Sequence, residues 1–185
     1  MQRKLHPQLK TWFDSRCLNP TPSCFLDPKN PIEMLKHAAL MCLSITEMEK
    51  DNHGPLVELF QSTIGKAEGE PWCLSFIQSC VAYVESFGFS SCLFPSEHCL
   101  TVWANSLCRR PIEPIVGDIV IYQMGNTTKG HAEIITNVFL NSFQTIGGNT
   151  SSGSEIERNG DGIYSKIRSR HTSDKFKTLG FLRIF

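Results

Sequence analysis

Two side chains in this sequence have the type and placement for acyl-transfer chemistry, and a third stands where it can assist them. Cys73 follows Gly69-Glu70-Pro71-Trp72 and begins an apolar pattern through Phe76, Ile77, Cys80, Val81, Val84 and Phe87. That is the i, i+3, i+4, i+7 spacing of a helix that buries one face, here stopped by Gly88. A cysteine in the first turn meets unpaired backbone N–H groups and the positive end of the helix dipole, which favour the thiolate. The same donors stabilise a carbonyl oxygen as it becomes an oxyanion. The competing reading of any one cysteine is a small buried hydrophobe. His131 follows Gly130 and opens a β-rich run, so its ring is expected at a sheet end, where it can accept a thiol proton and return it to a leaving amine. Asn149 comes just beyond the next-but-one strand, and antiparallel pairing can bring it beside His131 to hold the ring. His6, His37, His53, His98 and His171 fall on helices or polar loops and read as surface residues.

The elements that must position these groups change character along the chain. Residues 1–30 are punctuated by Pro7, Pro20, Pro22 and Pro28 around a short face of Leu5, Leu9 and Trp12, and read as an arm that packs on the domain formed by residues 31–185. Asn30-Pro31-Ile32-Glu33 supplies an N-cap, a proline at the first helical position and a glutamate three residues after the cap, and the helix is expected to run to about Glu49. Leu56, Leu59, Phe60 and Ile64 suggest a second short helix ending at Gly65, and Ser96 can cap another through Leu100, Trp103 and Leu107. Strands are expected at 119–122, 131–136, 138–140, 143–146 and 179–184, with 149–162 a polar, glycine-rich connection. Helices first and antiparallel strands second is an α+β pattern.

Composition narrows the function classes. The 185 residues fit one domain, apolar content is 41% and charged content 19%, and the formal net charge of zero gives no general electrostatic case for nucleic acid. The stretch from Glu155 onward is mildly basic and reads as a solvated face. No apolar run approaches the ~18 residues of a membrane span, and Met1 to Pro7 lacks an apolar signal-peptide core, so the expectation is a monomer made in the cytoplasm without a signal peptide. The eight cysteines include no Cys-x-x-Cys, which leaves no support for a zinc cluster, and the evenly spaced pairs Cys17/Cys24 and Cys92/Cys99 are expected to be reduced. No metal or cofactor is expected, since Asp51-Asn52 and Asp161 lack the alternating oxygen ligands of a calcium loop.

Four segments taken together closely resemble the CHAP domains, cysteine- and histidine-dependent amidohydrolases and peptidases of the wider NlpC-type, papain-like group. They are Gly-Glu-Pro-Trp-Cys-Leu-Ser-Phe-Ile at 69–77, Gly-Asp-Ile-Val-Ile at 117–121, Gly-His-Ala-Glu-Ile-Ile at 130–135 and Ile-Gly-Gly-Asn-Thr at 146–150. Asn52-x-Gly54-Pro55-x-Val57-Glu58 and Gly160-Asp161-Gly162-Ile163-Tyr164 are similar to segments of phage lysins and bacterial wall enzymes. The resemblance spans about residues 31–185. It implies a papain-like α+β fold with N-terminal helices on a C-terminal antiparallel sheet, Cys73 as nucleophile, His131 as base and Asn149 as its orienting residue.

The implied substrate is bacterial peptidoglycan, cut at an amide bond either between the muramoyl lactyl group and the stem peptide or within the peptides, after release or secretion of the enzyme to the wall. Many relatives carry an acidic residue two places before the asparagine, where this chain has Gly147, and small residues where it has Glu133. Strand alternation places Glu133 on the His131 face, to tune the base or to be solvated. Trp72 and Trp103 offer flat faces for sugar and peptide or else belong to the core. An acyltransferase on the same fold, or a non-catalytic wall- or partner-binding module, are the rival readings.

Overall fold

A computed structural model describes residues 3–17, 29–65, 68–153, 160–170 and 176–185. Among these lie five helices, α1 (Pro7–Cys17), α2 (Pro31–Met41), α3 (Pro55–Ser62), α4 (Cys73–Glu85) and α5 (Cys99–Asn105). Five strands follow, β1 (Ile119–Met124), β2 (Gly130–Val138), β3 (Ser142–Thr150), β4 (Gly162–Ser169) and β5 (Phe176–Leu182). They form one antiparallel sheet in the order β4-β3-β2-β1-β5, so the chain is α+β. No helix among the described residues is long and apolar enough to cross a membrane.

α4 is the axis of the fold. The sequence pattern suggested one apolar face, but every residue from Cys73 to Val84 is buried, because α2 and α3 cover the helix on one side and β2 and β3 on the other. Of its buried polar residues, Ser79 and Gln78 find partners, while Ser75 Oγ has none among the described residues. Ser79 Oγ donates to Ser75 O at 2.8 Å and to Thr63 Oγ1 at 2.9 Å, and Gln78 Nε2 donates to Phe94 O at 2.9 Å. The N-terminal segment joins the same core: Phe13 stacks on Tyr83 at 4.5 Å, and Arg3 forks onto Glu85 and donates to Gln78 Oε1.

Two helices differ from the sequence expectation. α2 begins on the predicted cap, with Asn30 Oδ1 accepting from Ile32 N and Glu33 N, but it stops at Met41 rather than near Glu49. There the chain turns through Ser44, at φ 70°, and Thr46 pairs as an isolated bridge with Gly162. α5 is capped by His98, whose Nδ1 accepts from Thr101 N, while Ser96 Oγ accepts from His98 N; Leu107 lies beyond the helix and is exposed.

In the sheet, the run expected at 131–136 is strand β2, which ends at Val138 so that Phe139 and Leu140 lie in the turn to β3, and β4 is a strand where none was expected. Alternation sends Ala132, Ile134, Ile119 and Ile121 into the main core with α4, and Val120, Tyr122, Ile135 and Phe143 into a smaller cluster on the opposite face. The cysteines need one correction. Cys92 and Cys108 form a disulfide, because the end of the chain gathers both flanks of α5: Cys92 N donates to Ile184 O and Arg183 N donates to Arg109 O. Cys42, Cys73, Cys80 and Cys99 are free thiols.

Candidate active site

Cys73 is the first residue of α4, and no side chain caps this helix, so its first-turn N–H groups remain open as donors. The sulfur reaches the start of β2, where it pairs with His131 and accepts from the Ala132 N–H. Cys99, the first residue of α5, brings its Sγ to 3.9 Å from that of Cys73. The thiol of Cys73 is held well below its ordinary value. The hydrogen bond from Cys99 is the largest cause, burial opposes it, and the His131 and Ala132 contacts add to the lowering. Cys99 moves the other way, raised by its bond to Cys73 and by burial.

His131 is buried, and its far nitrogen meets a carboxylate: Nε2 lies 3.3 Å from Glu133 Oε1, with Thr150 Oγ1 also at 3.3 Å. Nδ1 is left for Cys73. Burial alone would lower the imidazole pKa, but the hydrogen bonds to Cys73 and Glu133 raise it from 6.5 to about 9, a shift that favours the imidazolium beside the thiolate. The Tyr122 ring, opposite His131 in the strand register, stacks against it.

Glu133 is fully buried, not solvated, and all of its acceptor capacity is used. Arg168 on β4 forks onto it, Nη2 to Oε1 at 2.5 Å and Nε to Oε2 at 3.0 Å, and Thr145 Oγ1 donates to Oε2 at 2.7 Å. Burial would raise its pKa, yet the bonds to His131 and Arg168 hold it well below the usual carboxylate range. Gly147 explains how the carboxylate fits. A Cβ there would lie 2.8 Å from Glu133 Cγ and 3.3 Å from His131 Nε2, so the space a side chain would take on β3 is filled from β2.

Asn149 is brought to the cleft but not to the ring. At φ 50°, its Nδ2 donates to Asn52 Oδ1 at 3.0 Å and its Oδ1 accepts from Gly160 N at 2.9 Å, and the group beside the ring is instead the carboxylate of Glu133. Asn52 N in turn donates to Glu47 Oε2, and Glu47 Oε1 accepts from Trp72 Nε1 at 2.7 Å. Trp72 is therefore a core anchor, fully buried and stacked on Phe60, and does not line a groove. Trp103 is not in the cleft either: it packs between the Arg110 guanidinium and Gly180 of β5.

A cleft of about 190 Å³ opens on Cys73, His131 and Asn149 and is walled by Glu70, His98, Cys99 and Lys129 among others. His98, read from sequence as a surface residue, is thus part of the rim. Separately, His53, Glu58 and Glu68 bring ligand atoms within 4.8 Å of one another, but they are exposed or half-buried and none lines this cleft. Arg168 and Cys99 were missed from sequence. The only local hint of Arg168 is its alternate position with Lys166 on β4, and nothing local marks Cys99.

Iodoacetamide is expected to label Cys73 ahead of the other free cysteines at neutral pH, with a half-maximal rate well below the ~8.5 of an ordinary thiol. Peptide mapping of the alkylated native protein reads this directly, and faster labelling of Cys99 or Cys42 would refute the assigned thiolate.

No protein-family model, curated protein or solved structure matches this chain.

Proposed function

We propose that the chain is a cysteine-dependent peptidoglycan hydrolase with a papain-like, CHAP-type arrangement, cutting an amide bond of the muramoyl-peptide linkage or of the peptides. The observation that carries this reading is the Cys73–His131–Glu133 line at the open start of α4, with Arg168 fixing the carboxylate. The substrate class rests on the resemblance of the four motif segments.

In this mechanism the Cys73 thiolate attacks the amide carbonyl, and the first-turn N–H groups of α4 receive the developing oxyanion. His131 gives its proton to the departing amine, which leaves a thioester on Cys73. A water deprotonated by His131 then releases the acid and restores the Cys73 thiolate beside the protonated ring. Glu133 keeps Nδ1 aimed at sulfur and stabilises the imidazolium without moving a proton itself. The enzyme acts alone on the wall after release or secretion from the cell.

Digestion of purified peptidoglycan, followed by mass spectrometry of the fragments, tests the proposal. New free amines matched by new carboxylates are expected, and the fragment masses identify the bond. An added amine acceptor appearing in the product would indicate acyl transfer instead, and unchanged peptidoglycan would overturn the reading in favour of a binding module.

A further inference from the structure

The catalytic reading uses one thiol of the cleft and leaves the other unexplained. Cys99 is buried as Cys73 is, lines the same opening, and lies with its sulfur 3.9 Å away. A disulfide needs the two sulfurs at about 2.05 Å, so closure asks each side chain to move by roughly 1 Å. Elsewhere in the molecule Cys42 and Cys80 also adjoin, but both are fully buried and distant from the cleft, and Cys42 Sγ donates to Ala38 O. The two pairs share proximity and differ in access and in thiolate character.

The geometry points to Cys73 and Cys99 as a redox modification site, in which a hydroperoxide entering the cleft converts the pair to a disulfide and so masks the nucleophile. In the first step the Cys73 thiolate attacks one peroxide oxygen. An S–O bond forms, the O–O bond breaks, sulfur loses two electrons, and the departing oxygen leaves as water with the His131 proton when the oxidant is hydrogen peroxide. In the second step the Cys99 sulfur attacks the sulfenic sulfur. The S–S bond forms, the S–O bond breaks, and the hydroxyl leaves as water with the Cys99 proton. Two thiols and one peroxide thus give one disulfide and two waters. A small dithiol reverses the change by exchange and is itself oxidised. Cys99 therefore acts as a resolving thiol that intercepts the sulfenic acid before further, irreversible oxidation.

This inference rests on Cys73 being the reactive thiolate, as the proposed function does, but not on the substrate. The full chain is treated with hydrogen peroxide near neutral pH, quenched with N-ethylmaleimide and mapped under non-reducing conditions. The expected result is the loss of two hydrogens, a cross-linked peptide joining Cys73 to Cys99, and full reversal by dithiothreitol. In Cys99→Ala and Cys99→Ser, Cys73 is expected instead to gain two oxygens as a sulfinate that dithiothreitol does not remove. Equal sulfinate formation in wild type and both variants would overturn the proposal, as would pairing of Cys73 with another cysteine or oxidation of Cys42 and Cys80 first. A protein that forms the cross-link yet leaves peptidoglycan intact would keep this inference and lose the hydrolase reading.

Discussion

Replacing Cys73 with alanine is expected to abolish the release of new amines from peptidoglycan, because Cys73 is the cleft thiol paired with His131, whereas burial holds the thiol of Cys99 protonated. His131→Ala should come close to the same result. The thiolate depends on the imidazolium beside it, and the leaving amine depends on its proton. Neither change should unfold the protein: Cys73 loses one sulfur atom, and the main contacts of α4 come from Phe76, Ile77, Cys80 and Val81. The measurement is turnover on purified peptidoglycan beside thermal melts of each variant. Near-wild-type turnover in His131→Ala with an unchanged melt would remove His131 from the mechanism, and His98 on the cleft rim would be the next candidate.

Glu133→Gln is expected to lower turnover by about a hundred- to ten-thousandfold, the range found when the group that orients and charge-balances a catalytic imidazole is neutralised. The substitution keeps the shape and removes the anion. With wild type, activity should fall on the alkaline side as His131 loses its proton near pH 9; without the carboxylate that limb moves to lower pH. A residue with a purely structural role would not shift it. Asn149→Ala should leave the limb in place, since its amide holds Asn52 and Gly160 rather than the ring.

Stability changes as well. Arg168 would stay buried without its partner, at a cost of about 3–5 kcal/mol. The signs follow from the shifts. The folded pKa of Glu133 is depressed, so its contribution is present above the unfolded carboxylate value and is lost as pH falls through the folded one. The folded pKa of His131 is raised, so its contribution is complete below 6.5 and is lost as pH rises through about 9. Melts of Glu133→Gln that match wild type across this span would contradict the buried pair.

The meeting of Cys73 and His131 was legible in the sequence because their positions are set locally. A cysteine after Gly-x-Pro-Trp at the head of an apolar run, and a histidine after a glycine at the head of a β-rich one, are fixed by a helix start and a strand start. The carboxylate beside the ring was not legible as its partner. Glu133 was visible on the right face, but its burial depends on Arg168, which arrives on a strand whose pattern runs against the usual rule: Ile167 is 68% exposed while Arg168 is 5% exposed. Such a strand reads as a polar connection because the charge inside is explained only by a residue on a strand two places away in the sheet. Trp72 and Asn149 were singled out for contact with substrate and ring, and both turn out to belong to one chain of hydrogen bonds through Glu47 and Asn52. The Cys92–Cys108 bridge escaped for a related reason, since its partners meet only where the last strand ends between them.

The exchange between Gly147 and Glu133 also constrains how such a site can change by descent. A side chain appearing at 147 while Glu133 is present would start 2.8 Å from its Cγ, and Glu133 lost while 147 is still glycine would strand the Arg168 charge in the interior. Each single step is penalised and only the pair is compatible, so the two positions are epistatic. A lineage moving the carboxylate from one strand to its neighbour must cross a crowded intermediate or an emptied one.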